Sequence, residues 1–450
     1  MKDVPTEGQP SPVAAVAVTA DRPTQGGCRL RWPWAEPSVW TERMLSALEN
    51  GVKGGVWFSL VDKVYSGRAL ASAWEGVKSN RGAGGVDRQT VEQFSRGEAG
   101  RLRTLSEALR TGRYQPQPVR RVYIPKPDGR RRPLGIPTVR DRIVQTALRN
   151  VLEPIFEKEF VDGSYGFRPG RSAKDALRRV DHLLKSGYGY VVDADIQSYF
   201  DTIPHEPLMR QMATRVADGK VLALVRSFLT QGVMEGMTQW TPLAGSPQGA
   251  VISPLLSNIY LHPLDVKMEE QGFAMIRYAD DLVVLCRDRE QATRALQTIT
   301  DWMSQAGLTL HPDKTRLVDV AAGDGFDFLG YRFERGERVP RDKSLQKFKD
   351  AIRQRTRRTN GQSLDAIMAT INPIIRGWFA YFKHSGWWVF RNLDRWIRMR
   401  LRSILRKRRK RRGRGRGADH QRWPNAFFVS RGLFTMLRAY EHIRQSVTAH

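Results

Sequence analysis

Ile276–Cys286 reads IRYADDLVVLC, two short apolar runs on either side of a break that carries Asp280 and Asp281. The β-prone residues flanking the break predict a hairpin with both carboxylates at its tip. Adjacent carboxylates repel, and the nearest cation in sequence is Arg277. Such a pair is costly unless a divalent cation sits between its members. Upstream, Tyr190–Phe200 (YVVDADIQSYF) predicts a second acidic strand. Val191, Asp193 and Asp195 share one of its faces, and Val192, Ala194 and Ile196 the other. Spacing alone leaves open which of Asp193 and Asp195 is the functional acid. With Asp195 beside Asp280 and Asp281, three oxygen donors would suit two Mg²⁺ ions roughly 3.5–4 Å apart. That is a site for in-line nucleotidyl transfer.

Composition narrows the partner. The 450 residues are enough for two or three domains, and 40% hydrophobic content supports a sizeable core. Lys and Arg number 74 against 46 Asp and Glu, a formal charge of +28 with a pI near 10.6. Such an excess calls for a polyanion. Nucleic acid fits better than an anionic membrane, because no run is both long and apolar. Cys28 and Cys286 are the only cysteines and lie far apart, which argues against a disulfide framework and a structural zinc site. The first 25 residues show no secretory pattern, and Asp3, Glu7 and Asp21 argue against a transit peptide, so the expected location is cytoplasmic.

Outward from the acids, further blocks carry chemistry. Residues 118–138 (PVRRVYIPKPDGRRRPLGIPT) predict strand, turn, strand, with Arg120, Arg121, Lys126, Arg130, Arg131 and Arg132 around the turn. So basic a hairpin near acidic metal ligands suits a triphosphate. Its alternative is a solvated hairpin touching nucleic-acid backbone, which Arg130 and Arg131 fit better. Between the acidic strands, AGSPQGAVISPLLSNIYL at 244–261 places Gly245 and Gly249 around Gln248, ahead of a helix beginning at Pro254. NRGAGGVDRQT at 80–90 is a glycine-rich turn before a helix start. A helix over 140–156 and another after Ser172, boxed with Asp175, flank the loop DGSYGFRPGRS with Arg168 and Arg171. FDFLGYRF at 326–333 alternates aromatics around Gly330.

From Lys343 onward three helical segments (about 343–358, 363–385 and 389–408) mix cations with dense aromatics, a combination suited to phosphates and unpaired bases. Any single aromatic there is better read as core. Residues 406–416 (RKRRKRRGRGR) hold nine cations in eleven positions and should order only conditionally. RWPNAFFVSRGLFTMLRAY at 422–440 reads as a small folded piece.

YADD at 278–281, VDADIQSYFD around 193–201 and SPQG at 246–249 resemble the palm of a reverse transcriptase. With the flanking blocks, the match from about Asn80 to the C-terminus resembles the bacterial group II intron-encoded reverse transcriptase/maturases. No Cys pair or His–Asn–His pattern follows the last block, which points to their endonuclease-lacking class. The resemblance implies an α+β right-hand polymerase followed by a helical thumb. The expected divisions are a mobile tail (1–36), a helical extension (37–115), fingers and palm (116–336), a thumb/maturase domain (340–411) and a basic nucleic-acid-binding segment (412–450).

It also implies roles. Asp195, rather than Asp193, joins Asp280 and Asp281 as the catalytic acids, because Phe200 five residues on matches the ring beneath the incoming sugar. Asp195, Ile196, Asp280 and Asp281 would form the metal set for two Mg²⁺ ions. Lys126, Arg132, Phe200, Gln248 and Gly249 would bind the nucleotide, and Lys314 would assist the leaving pyrophosphate. Arg168, Arg171, Gly330 and the run Arg406, Lys407, Arg408, Arg409, Lys410, Arg411 and Arg412 would touch nucleic acid. The partners implied are intron RNA, an RNA template with its DNA primer, dNTPs and target DNA, with no membrane and no zinc. Two other readings are a splicing cofactor with an idle polymerase site and a retron- or defence-type reverse transcriptase. Intact acids oppose the first, and the long basic C-terminal half opposes the second.

Overall fold

The computed structural model describes residues 27–125, 129, 131–415 and 417–448. The chain opens with helices α1 (Gly27–Arg31) and α2 (Glu42–Asn50) and a 3₁₀ turn, Lys53–Gly55. Trp32 and Trp34 meet edge to face at 5.5 Å between centroids, both against the core, and Ala35, Val39 and Trp40 are buried. Trp40 donates its indole N–H to the Asn150 carbonyl at 2.9 Å. Residues 27–36 therefore belong to the folded body, not to the tail expected over 1–36, because their tryptophans have apolar surface to cover.

Helices α3 (Val61–Tyr65) and α4 (Gly67–Asn80) are split at Ser66, whose hydroxyl caps α4 by accepting from the Ala69 N–H. Thr90 and Gln93 form a capping box that starts α5 (Val91–Ser95), followed by α6 (Glu98–Arg110). Strands β1 (Val119–Pro125) and β2 (Arg131–Ile136) form the antiparallel basic hairpin, in register from Arg120↔Ile136 to Pro125↔Arg131. Helix α7 (Val139–Glu157) buries the apolar stripe expected of it, Ile143 through Ile155, at 3–4-residue spacing. Helix α8 (Ala173–Lys185) begins at the Ser172–Asp175 capping box.

Strand β3 (Tyr190–Asp195) leads into α9 (Tyr199–Thr202), α10 (His205–Ala213) and α11 (Gly219–Leu229). Two three-residue strands then appear that no period in the sequence announced: β4 (Val233–Glu235) and β5 (Thr238–Trp240), turning at Gly236. They extend the hairpin into a sheet of order β2-β1-β4-β5, with β4 parallel to β1. Helix α12 (Ser253–Glu270), with proline in its first turn, precedes β6 (Ala274–Tyr278) and β7 (Asp281–Cys286). Helix α13 (Arg289–Gln305) and β8 (Arg316–Asp319) complete a second sheet, ordered β6-β7-β3-β8 and antiparallel throughout. One face, with Val192, Ala194 and Leu282, joins the main core; the other, with Val191 and Val283, packs under α8 and the aromatics after β8.

Those aromatics lie on β9 (Phe326–Phe328), β10 (Tyr331–Glu334) and β11 (Glu337–Pro340). Phe326 stacks on Phe333 at 5.0 Å. The helical half follows: α14 (Asp342–Arg355), α15 (Leu364–Phe382), α16 (Trp387–Arg408), α17 (Ala418–Arg422), α18 (Asn425–Ser430) and α19 (Met436–Thr448). Its core joins Phe348, Ile371, Phe379, Phe390 and Ile397 to Trp423, Phe428, Leu433 and Met436. Buried Asp394 of α16 accepts from the N–H groups of Met436 and Leu437, capping α19. The same helical core thus crosses the expected border at 411. No helix among the described residues is long and apolar enough to cross a membrane.

Candidate active site

The three acids meet through strand register. Asp195 ends β3 directly opposite Asp281, the first residue of β7, and Asp281 closes the hairpin against Tyr278 of β6. Between them Ala279 turns in the left-handed region at φ 60, and Asp280 follows it outside both strands. Burial pushes the Asp281 carboxyl up to about 7, with Asp193, Asp280 and Asp195 adding repulsion. Burial also raises Asp280; Asp195 adds to the rise while Arg132 and Lys314 oppose it. No ion pair reaches Asp280 or Asp281 among the described residues.

Asp193 has a partner of its own, Arg316 at 3.3 Å. Asp195 is turned onto Lys314, whose ammonium donates to it at 2.5 Å. As the side chains stand, no three acidic, histidine or cysteine groups among the described residues close around a common point. The donor set nevertheless suits hard cations: three neighbouring carboxylates, two of them without a committed counter-charge. The side chain of Ile196 lies in the core, so only its main-chain oxygen could face an ion.

Arg132 lies near enough for its charge to oppose the rise of Asp280, and it donates its Nε–H to the Gln248 amide oxygen at 2.9 Å. Lys126 and Arg130 lie outside the described residues. Gly249, at φ 109, sits where a Cβ would come within 2.6 Å of the Gly135 carbonyl, so loop and hairpin can touch only through glycine. Phe200, 9% exposed, stands edge to face with Phe167 and borders a cavity of about 260 Å³. The same cavity is lined by Arg121, Asp201, Trp240 and Gln248. Asp201 had no role in the sequence reading. Its carboxylate accepts from the Gln248 amide N–H at 3.4 Å, and burial raises it against the opposing charges of Arg121 and Arg132. Its sequence signal was an acid directly after the aromatic of the first acidic strand.

Several expected nucleic-acid contacts take other positions. Arg168 is buried and turned inside the protein, ion-paired with Glu157 and donating to the carbonyls of Phe160, Val161 and Ser164. It braces a loop. Arg171 pairs with Asp162 at 2.5 Å and stacks over Tyr165. Gly330 forms the β9–β10 turn, and its carbonyl accepts from the Arg341 N–H and the Ser344 hydroxyl. In the basic run, Arg406 binds Asp419 at 2.6 Å, Arg408 donates to the Gln362 carbonyl and Arg409 lies over Trp423. Lys407, Lys410, Arg411 and Arg412 are exposed.

Residues 124–333 match the family Reverse transcriptase (RNA-dependent DNA polymerase), and residues 345–423 match the Group II intron, maturase-specific domain. Protein YkfC of Escherichia coli (strain K12) is 35% identical over 307 residues, 59% of this chain and 80% of YkfC. Group II intron-encoded protein LtrA of Lactococcus lactis subsp. cremoris is 40% identical over 196 residues, 43% of this chain but 32% of LtrA. A solved partial Cas6-RT-Cas1–Cas2 complex aligns with TM-score 0.35 and 23% identity over 55% of this chain and 41% of that one, too slight to argue from. The acid-bearing antiparallel sheet lies inside the polymerase match, and the maturase match covers most of a helical core that runs on to Met436. The chain belongs to the group II intron-encoded reverse transcriptase/maturases, RNA-directed DNA polymerases that also serve intron splicing and mobility.

Proposed function

We propose that Asp195, Asp280 and Asp281, with the main-chain oxygen of Ile196, hold two Mg²⁺ ions at which this chain extends a DNA primer on an RNA template. The observation that supports this most is the placement of Asp195 opposite Asp281, beside Asp280, with burial and mutual repulsion pushing Asp281 up to about 7. Ions bound there would supply activation of the primer 3′-hydroxyl and neutralisation of charge on the leaving pyrophosphate.

The chain's own groups bind and orient. Arg132, aimed by Gln248, and Lys126 grip the triphosphate, the first as a planar fork and the second as a mobile point charge. Asp201 holds the amide of Gln248 in the orientation that accepts from Arg132. The Phe200 ring lies beneath the sugar and would clash with a ribose 2′-hydroxyl, which favours deoxynucleotides. Gly249 lets backbone approach the paired base. Lys314 neutralises Asp195 until a cation takes that place, and then stands free to donate a proton toward pyrophosphate.

Intron RNA and target DNA bind the helical half. Exposed Trp387 and Trp388 offer stacking surfaces, and Lys407, Lys410, Arg411 and Arg412 offer phosphate contacts. The two free thiols fit a reducing compartment, the cytoplasm.

Primer extension on an RNA template with Mg²⁺ tests the polymerase site. The native chain extends the primer and Asp280→Asn does not; equal extension by both would end the assignment. Splicing of the cognate intron at low Mg²⁺ should accelerate when protein is added, and no acceleration would remove the maturase role.

A further inference from the structure

Beneath the acidic turn lies a charge pair that the chemistry above does not use. Arg277 on β6 is fully buried, as is Asp265 on α12. The Arg277 Nε donates to one carboxylate oxygen of Asp265 at 2.7 Å, and Nη2 donates to the other. Nη2 also donates to the Ser164 hydroxyl at 2.8 Å. Nη1 donates to the Asn258 amide oxygen at 2.9 Å and to the Ala279 carbonyl at 3.0 Å. Every N–H of the guanidinium is therefore committed, and one of them grips the residue that holds the left-handed turn.

The same groups lock the neighbouring loop. The Arg277 N–H donates to the Gly163 carbonyl at 2.9 Å, and its own carbonyl accepts from Tyr165 at 2.8 Å. The Asn258 amide donates to the Gly166 carbonyl at 2.8 Å. A Cβ on Gly166 would come within 2.3 Å of the Ala279 nitrogen, so this loop lies directly against the turn. A left-handed alanine is strained and persists only where its surroundings hold it.

We infer that Arg277, through Asp265, Asn258 and Ser164, is the positioning device that holds Asp280 and Asp281 in the geometry that binds cations. It touches no substrate. It is a buried fork whose last donor fixes the Ala279 carbonyl, and the two acids follow that carbonyl in the chain. The inference rests on the metal-binding role proposed above for the same acids.

The test uses the full chain and Mn²⁺ as the probe. Ser164→Ala and Asn258→Ala each remove one partner and leave the Arg277–Asp265 pair whole; Arg277→Lys keeps the charge and loses the fork. Mn²⁺ affinity is read by electron paramagnetic resonance, alongside thermal unfolding and primer-extension kinetics. Removing such supports typically costs metal affinity or activity about tenfold or more. Ser164→Ala and Asn258→Ala should therefore fold, bind Mn²⁺ about tenfold more weakly and lose kcat with KM for dNTP nearly unchanged. Arg277→Lys should do worse on every count, and if it fails to fold the two milder variants decide. Folded variants with native Mn²⁺ affinity and kcat would overturn the inference. Asp280→Asn separates the two ideas: if native chain and Asp280→Asn bind Mn²⁺ equally, the metal site itself is wrong, whatever the supports do.

Discussion

Asp265 and Asp281 are aspartates of one sheet-and-helix layer, and the fold treats them in opposite ways. Asp265 is wholly buried but meets a guanidinium through two oxygens, so its charge is complete. Asp281 is partly buried, faces Asp195 across the ladder and has Asp280 beside it, with no cation paired to it among the described residues. One carboxylate shapes the turn. The other is left with a charge deficit that a metal ion would fill. A buried charge that is paired is costly to unpair, whereas charge left incomplete is available to a ligand.

Mutating each side of that contrast should give opposite signs. The largest effect expected is on chemistry: Asp280→Asn should lower primer extension by more than about a hundredfold, well beyond the tenfold or so of a lost outer support. Next comes stability. Asp265→Asn leaves Arg277 buried and half-paired, and should cost about 3–5 kcal/mol in denaturant unfolding. Arg168→Gln should fall in the same range for the same reason, with RNA affinity unchanged in whatever protein folds. Smaller and reversed in sign, Asp281→Asn should stabilise the metal-free protein by up to about 1 kcal/mol, the scale of like charges directly opposed across strands. If it destabilises instead, Asp281 has a cationic partner and the contrast fails. Smallest is a surface cation: Arg411→Gln should lower the salt slope of RNA binding by about one, with KM for dNTP unchanged.

Much of this was legible in the sequence because periodicity was strong. Alternation through Val191–Ile196 gave β3 its two faces, and a break between β-prone runs gave the acidic hairpin. The stripe of α7 and the Ser172–Asp175 box were equally plain. Composition says where charge is, not what it meets. Arg132 and Arg168 look alike in a basic chain, yet one donates to Gln248 at the rim of the site and the other is consumed by Glu157 and three carbonyls. Arg277 was visible as the cation nearest the acids, but its partner lies on another element and no spacing rule pairs them. Short elements were also missed. Three-residue strands β4 and β5 and five- or six-residue helices α17 and α18 are too brief to show a period. Without those helices, the basic run seemed to begin a separate segment, whereas Arg406 and Asp419 tie it to the core of α14–α16.

The central claim is that Asp195, Asp280 and Asp281 bind two cations where the primer end meets its nucleotide. It is tested most directly by counting Mn²⁺ ions bound to the full chain with RNA template, a chain-terminated DNA primer and the matching dNTP. The account predicts two tightly bound ions per native chain, and fewer in Asp281→Asn under the same conditions. An identical count in the two proteins would contradict it.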